Sequence, residues 1–164
     1  MSKALMIFIK NKIEGKVKTR LAATIGHDTA MNIYQQLIEH TNTVTNRIEA
    51  DKIIFYSNFI EDDIWENSVY KKQVQHGDTL GVRMENAFKS SFTAGHKKAI
   101  IIGTDCPEIN ENILKNAFEK LNDFDIVIGP ATDGGYYLLG MKKENPFLFK
   151  NFEWSTDKVL QHTI

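Results

Sequence analysis

The chain has 164 residues, of which 42% are hydrophobic and 25% are charged, so it is long enough to form one domain with a substantial core. Its formal net charge of -1 gives no electrostatic reason to expect a nucleic acid or a membrane surface as a partner. The single cysteine excludes an internal disulfide framework, and the apolar run at residues 4–9 is too short for a membrane span. We therefore expect a cytoplasmic protein that forms a single domain over residues 1–164.

Strands and helices are predicted to alternate along the chain. Asp28 and Asn110 are predicted N-caps of two amphipathic helices, Ser155 would cap a last helix, and a single helical turn is predicted at residues 62–65. Short apolar runs predict strands at residues 4–9, 52–56, 72–76, 99–102, 125–128 and 136–140. This alternation predicts an α/β fold, namely a Rossmann-like three-layer α/β/α sandwich around a mostly parallel sheet.

The strand at residues 99–102 is an unbroken apolar run that Gly103, Thr104 and Asp105 follow directly. A carboxylate at the carboxyl end of a buried strand is costly unless it binds something, and ligands of open α/β sheets lie at that edge. For a lone aspartate, a cap of a turn or of the next helix explains the sequence equally well. The neighbouring Cys106 suggests a nucleophile, but the sequence places no histidine to activate it.

The loop after the first strand is rich in positive charge. Gly15 would let the backbone approach a ligand, and Lys16, Lys18 and Arg20 could contact phosphate oxygens at the start of a helix predicted near Thr19. The spacing is not that of a P-loop or of a dinucleotide fingerprint. A solvated basic loop is the common alternative for such a run.

The loop after the fifth strand contains Asp133, Gly134 and Gly135, which Tyr136 follows. A tight turn is one interpretation of this loop. The other is a ligand site, because the loops after strands one, four and five all leave the same edge of a mostly parallel sheet. One or two carboxylates at that edge, Asp105 and Asp133, would suffice for a hard divalent cation that also binds substrate phosphates.

Five motifs of the chain, taken in order, are similar to those of a known family. They occupy residues 15–21, 75–84, 102–107, 129–137 and 154–156. Together they resemble small bacterial proteins of the glycosyltransferase A fold, which is the nucleotide-diphospho-sugar transferase fold. That family is related to 2-phospho-L-lactate guanylyltransferase and, more distantly, to the molybdenum-cofactor guanylyltransferases. The resemblance covers nearly the whole chain and implies the fold, but it does not identify the substrate.

The resemblance implies a role for each motif. Lys18 and Arg20 would hold the nucleotide phosphates, and together with Asp105 they would be the catalytic residues. The implied nucleotide-binding residues are Gly15, Lys18, Arg20, Gln75, Gly81, Arg83, Gly103 and Asp105. Asp105 would bind Mg²⁺ or Mn²⁺, with Asp133 as a second metal ligand. The residues that would face the sugar or acceptor are Asp133, Gly134, Gly135 and Tyr136.

The chain also departs from the family pattern. Lys12 and Glu14 stand where prolines are usual, so the first loop is expected to be less rigid. Val82 replaces a common acidic residue, and Asp105 is not part of an Asp-x-Asp pair. Relatives usually continue beyond Ile164, which leaves open either a truncated chain or a naturally short member.

The expected function is that of a metal-dependent transferase that uses a nucleoside triphosphate or a nucleotide-sugar. The transferred group would be a nucleotidyl or a glycosyl group, and the acceptor would be a small phosphorylated or sugar-like molecule. The alternative from another class is a nucleotide-binding or regulatory protein without catalysis on the same fold. Metal-dependent turnover of a nucleotide would separate the two.

Overall fold

A computed structural model describes residues 2–13 and 18–150 of the chain. Its strands are β1 (Lys3–Ile9), β2 (Asp51–Tyr56), β3 (Tyr70–Val74), β4 (Lys98–Ile102), β5 (Ile126–Pro130) and β6 (Tyr136–Met141). Its helices are α1 (Thr19–Ile25), α2 (His27–Asn46), α3 (Leu80–Thr93) and α4 (Glu111–Lys120), and a 3₁₀ turn spans Pro146–Phe149. All six predicted strands are present, and the predicted helix near Thr19 is α1.

The strands form one sheet in the order β3-β2-β1-β4-β6-β5. β1 pairs in parallel with both β2 and β4, and β2 pairs in parallel with β3. β6 runs antiparallel to both of its neighbours, because the short connection from β5 allows only a hairpin. The sheet is therefore mostly parallel, as predicted.

The core lies on both faces of this sheet, because successive strand residues point to opposite sides. One cluster joins the strands to α2 and α4, and its members include Leu5, Ile7, Ile100, Tyr34, Ile38, Leu114 and Phe118. The other cluster joins the strands to α3 and the 3₁₀ turn, and its members include Met6, Ile53, Ile101, Met84, Phe88, Leu148 and Phe149. This arrangement confirms the three-layer α/β/α sandwich.

The longest helix, α2, has 20 residues, and its buried residues lie along one side. The prediction that Asp28 caps this helix is wrong: α2 begins at His27, and Gly26, with φ +89°, stands at the N-cap. Asp28 instead lies in the first turn, where its charge suits the positive end of the helix dipole. No helix within residues 2–13 and 18–150 combines the length and the hydropathy needed to cross a membrane.

Two predictions about the other helices have different outcomes. Asn110 caps α4 as predicted, since its Oδ1 accepts a hydrogen bond of 3.0 Å from the amide of Ile113. The predicted helical turn at residues 62–65 is absent, because the carboxylate of Asp63 accepts from the amide of Trp65 and holds a bend there. The predicted helix with Ser155 as its cap lies outside the described residues.

The third strand is displaced from its predicted position. It begins at Tyr70 and ends at Val74, two residues earlier at each end than the predicted 72–76. Tyr70 belongs to the strand because its ring packs edge-on against Trp65 and its hydroxyl lies 2.9 Å from Oγ1 of Thr45. Gln75 and His76 are thereby left in the loop at the carboxyl edge.

Gly129 on β5 lies directly beneath the ring of Tyr137 on β6. A Cβ atom at position 129 would lie 2.6 Å from Cζ of Tyr137. Gly129→Ala should therefore lower the free energy of unfolding by about 1–3 kcal/mol, which is the usual range for overpacking. Denaturant unfolding of the single variant and of Gly129→Ala/Tyr137→Ala measures this effect, because the double variant has no ring to displace.

A matched control is Gly135→Ala, whose new Cβ would meet Oδ1 of Asp133 at 3.4 Å, an ordinary contact. Its stability should stay within about 1 kcal/mol of the parent protein. A Gly129→Ala protein as stable as the parent would show that the ring of Tyr137 is not packed on the backbone of β5.

Candidate functional site

Three loops leave the carboxyl edge of the sheet close to one another. β1 and β4 are parallel neighbours, and β6 begins beside the end of β4, where Ile102 pairs with Leu138. The residues after β1, Asp105 after β4 and the β5–β6 turn that contains Asp133 are therefore adjacent at one edge. This is the edge at which open α/β sheets bind ligands.

Asp105 is exposed three residues beyond the end of β4. Its Oδ1 folds back so closely over Gly103 that a Cβ at position 103 would lie 3.0 Å away. Within the part of the chain that the structure describes, its carboxylate takes part in no hydrogen bond or ion pair. The interpretation of Asp105 as the cap of the next helix is wrong, because Asn110 has that role.

The negative charge of Asp105 acts on Tyr34, a buried tyrosine that contacts the end of β1. The hydroxyl of the buried Tyr34 donates a hydrogen bond to the backbone carbonyl of Lys10 there. Burial raises the pKa of Tyr34, and the charges of Glu61 and Asp105 raise it further. Tyr34 is therefore a neutral hydrogen-bond donor at this edge.

Lys18 and Arg20 lie at the start of α1. Lys18 is half-buried and has φ 50°, a left-handed conformation that costs about 1–2 kcal/mol for a residue with a Cβ. Arg20 is exposed in the first turn. Among the described residues, neither charged group is bonded to another side chain. Gly15 and Lys16, the other predicted residues of this loop, lie outside the described residues.

A cleft of about 280 Å³ opens at the same edge, over the ends of the first three strands. Two of the predicted nucleotide-binding residues, Gln75 and Arg83, form one wall of it. Asp78 and Leu80, which also line it, belong to the same predicted motif at residues 75–84. The lining residues that were not predicted from the sequence are Phe8, Ile9, Lys10 and Ser57. Gly81 is buried in the first turn of α3, so it does not line the cleft.

Gln75 and Arg83 are fixed by hydrogen bonds within the protein. Nε2 of Gln75 donates to the carbonyl of Phe55 over 2.8 Å, and the guanidinium of Arg83 donates to the carbonyl of Gly77 over 2.8 Å. The two side chains also meet, with 3.3 Å between Nη1 of Arg83 and Oε1 of Gln75. They give the cleft a rigid wall, and much of their hydrogen-bonding capacity is already used.

The turn between β5 and β6 was interpreted either as a tight turn or as a ligand site, and it has features of both. Oδ1 of Asp133 accepts a hydrogen bond of 3.1 Å from the amide of Gly135, and Gly134 has φ +89°, so a tight turn is present. Asp133 is exposed, which leaves its other carboxylate oxygen at the surface. Tyr136 instead packs against the core on the α3 side, and burial raises its pKa. Its ring is thus mainly part of the core.

The surroundings of Cys106 and of the predicted metal ligands show what chemistry these side chains can support. Burial raises the pKa of the Cys106 thiol, so the thiol is protonated at neutral pH and is a poor nucleophile. Among the described residues, no three histidine, cysteine, aspartate or glutamate side chains are grouped as a metal site. Any metal here would be held by one or two carboxylates and by the phosphates of a ligand.

The segment between β2 and β3 forms a further border of the edge. Lys72 and Asp63 form a largely buried ion pair of 2.9 Å, and the hydroxyl of Tyr56 donates to the same carboxylate over 2.7 Å. Lys72 also donates to the carbonyl of Glu61 over 2.8 Å. Asn11, just after β1, contacts this segment through its side chain. These bonds could not be predicted from the sequence, because their partners are far apart in the chain or are backbone atoms.

The matching family model covers residues 40–156 and is described as an uncharacterized protein conserved in bacteria, DUF2064. The chain belongs to this family. A solved relative from Desulfovibrio desulfuricans G20, provisionally named a nucleotide-diphospho-sugar transferase, is 31% identical with a TM-score of 0.88. The alignment covers 99% of this chain and 73% of the relative.

Two further proteins are similar to this chain, one by sequence and one by structure. A 2-phospho-L-lactate guanylyltransferase from Methanocaldococcus fervens is 23% identical over 130 residues, which are 79% of this chain and 57% of that protein. The DUF2064 chain thus aligns with little more than half of its curated relative. The 4-diphosphocytidyl-2C-methyl-D-erythritol synthase from Anaerococcus prevotii has a TM-score of 0.60 at 13% identity, over 98% of this chain and 82% of its own. The fold is that of the nucleotide-diphospho-sugar transferases.

Arg83 should contribute to stability even without a ligand, since its guanidinium holds backbone and side-chain oxygens at the cleft wall. Arg83→Ala should lower the free energy of unfolding by about 1–3 kcal/mol, as expected for hydrogen bonds from a charged donor. Lys89→Ala, which removes an exposed positive charge from the same helix, is the control and should change stability little. Equal stabilities of the two variants would mean that Arg83 is not fixed by the protein.

Proposed function

We propose that this DUF2064 protein is a metal-dependent transferase that takes a nucleoside triphosphate as donor and transfers a nucleotidyl group to a small phosphorylated or sugar-like acceptor. The observation that carries the proposal is the exposed carboxylate of Asp105, which has no partner among the described residues. It follows β4, the parallel neighbour of β1, and β1 is the strand that precedes Lys18 and Arg20 in the chain. The names of its relatives support it, since they describe nucleotidyl or nucleotide-diphospho-sugar transferases.

The side chains at this edge fit a divalent cation. Asp105 offers carboxylate oxygens, Asp133 retains one oxygen that the β5–β6 turn does not use, and both are exposed. Mg²⁺ and Mn²⁺ prefer such oxygen ligands and commonly keep water and phosphate oxygens in the rest of their shell. When bound, the cation would supply charge stabilisation for the phosphates of the donor.

The residues of the chain would act mainly by positioning and by charge. Lys18 and Arg20 would bind the phosphates, and the cleft bordered by Gln75 and Arg83 would take the base and ribose. An acceptor oxygen would attack the α-phosphorus, and the bond to pyrophosphate would break, with Lys18 and Arg20 stabilising the charge on the leaving group. Asp133, Gly134 and Gly135 would border the acceptor.

Glycosyl transfer from a nucleotide-sugar is the second candidate, and the 31% identical relative named for nucleotide-diphospho-sugar transfer supports it. The deciding experiment is a thermal-shift panel of GTP, CTP, ATP, UTP and nucleotide-sugars, each with and without Mg²⁺ or Mn²⁺. Ligands that bind the native state raise the melting temperature. A metal-dependent shift with a triphosphate supports nucleotidyl transfer, and one with a nucleotide-sugar supports glycosyl transfer. If a nucleotide binds in this panel but an activity assay finds no turnover of it, a non-catalytic nucleotide-binding protein is supported.

Asp105→Asn should abolish the part of nucleotide binding that depends on Mg²⁺, because an amide is a much poorer ligand for this cation than a carboxylate. The melting temperature without ligand should not change, since the carboxylate has no partner in the described residues. Calorimetric titration with and without Mg²⁺ measures the effect. Asp123→Asn, an exposed aspartate after α4, is the control, and unchanged Mg²⁺-dependent affinity in Asp105→Asn would refute the metal site.

Arg20→Ala should weaken triphosphate binding about ten- to a hundredfold, because a charge-assisted hydrogen bond contributes about 1.5–3 kcal/mol. Affinity for the matching nucleoside should change far less, since it has no phosphate. Lys120→Ala removes an exposed charge at the end of α4 and serves as the control. Equal losses for triphosphate and nucleoside would show that Arg20 does not bind phosphate.

A further inference from the structure

We infer that Asn11 is a positioning residue of the nucleotide cleft, which sets the places of Lys10 and Ser57 in the cleft lining beside Gln75 and Arg83. The inference rests on the proposed function, because it assigns the cleft to the base and ribose of the donor. Asn11 itself is 2% exposed and does not line the cleft, so it would act through its neighbours.

Both the nitrogen and the oxygen of the Asn11 side-chain amide form hydrogen bonds. Its Nδ2 donates to the carbonyl of Phe59 over 2.8 Å and to Oε1 of Glu61 over 2.7 Å. Its Oδ1 accepts from the amides of Asn58 and Phe59 over 2.8 Å and 3.1 Å, and from the hydroxyl of Ser57 over 3.2 Å. One buried side chain therefore ties the end of β1 to four of the five residues that follow β2, namely residues 57–59 and 61.

These bonds fix both cleft residues directly. The backbone amide of Asn11 donates to Oγ of Ser57 over 3.1 Å. The same hydroxyl has one proton to share between Oδ1 of Asn58 at 2.8 Å and Oδ1 of Asn11 at 3.2 Å. Lys10 is the preceding residue, and its carbonyl is held from the other side by Tyr34. Lys12, the following residue, is bonded to Gln35 of α2. Lys10 thus leaves the sheet with fixed backbone on both sides, which presents its side chain to the cleft.

The chemistry of the site requires an amide. An aspartate at position 11 would keep the acceptor bonds, but its second oxygen would face the carbonyl of Phe59 and the carboxylate of Glu61. Contact between two carboxylates and a carbonyl, none of which can donate a hydrogen bond, is unfavourable. A leucine would leave the amides of Asn58 and Phe59 without an acceptor. The residue type is therefore explained by the two-sided contact rather than by packing alone.

A fixed wall should matter for affinity, because a cleft that must be ordered on binding loses part of the binding free energy. The loss should affect the base and ribose, which contact the wall, and not the phosphates, which Lys18 and Arg20 would hold. A merely structural asparagine would lower stability without changing the relative affinities of different ligands. This difference separates a positioning role from a structural one.

The experiment measures ligand binding to Asn11→Ala and to the unsubstituted protein by calorimetric titration. Both are measured well below their melting temperatures. The probes are the triphosphate or nucleotide-sugar that gives the largest thermal shift, the corresponding nucleoside monophosphate, and inorganic pyrophosphate, all with Mg²⁺. Asn11→Ser serves if the alanine variant does not fold. The control is Thr45→Val, which removes a buried hydroxyl bond between α2 and Tyr70 and should lower stability away from the cleft.

We expect Asn11→Ala to lower the affinity for the donor nucleotide and for its monophosphate by the same factor, about tenfold. The affinity for pyrophosphate should not change. Thr45→Val should change none of the three affinities. Unchanged nucleotide affinities in a folded Asn11 variant, equal losses for all three probes, or a loss confined to pyrophosphate would each overturn the inference. If the full chain binds no nucleotide or nucleotide-sugar, the proposed function fails first, and the inference fails with it.

Discussion

The parallel pairing of β1 and β4 is the constraint on which the rest of this molecule depends. Residues 4–7 of β1 and the four apolar residues of β4 are almost completely buried, with helices covering both faces of the pair. Burial of this much apolar surface is the largest stabilising contribution in a domain of this size. Because the two strands run in the same direction, they leave the sheet side by side. Asp105 and the residues that directly follow β1 leave the same edge of the sheet for that reason.

The architecture could be predicted from the sequence, because it depends on patterns that are local. Unbroken β-branched runs such as residues 99–102 can only be strands buried on both faces, and their alternation with amphipathic helices leaves few arrangements. Where prediction failed, a tertiary contact or a backbone angle decided. Asp28 is a favourable N-cap by type, yet the chain turns at Gly26. The position of β3 depends on contacts of Tyr70 with Trp65 and Thr45.

The charged residues of the candidate site could be selected from the sequence, but the residues that hold them in place could not. Asp105, Lys18 and Arg20 could be selected because charge at the end of a buried strand demands an explanation. Asn11 gave no such signal: its partners are 46 to 50 residues away, and most of them are backbone atoms. Gln75 and Arg83 were predicted as ligand contacts, but their bonds to backbone carbonyls became visible only in the fold. Sequence patterns thus indicate where a ligand binds more readily than what holds the site open.

The two outer strands of the sheet have a consequence for how this protein can associate. β3 presents the exposed side chains of Lys71 and Gln73, and β5 ends in Pro130, which has no amide hydrogen to donate. A second chain that extended the sheet at β3 would have to accommodate lysine charge, and one at β5 would miss a ladder hydrogen bond. Continuation of the sheet between copies is therefore disfavoured.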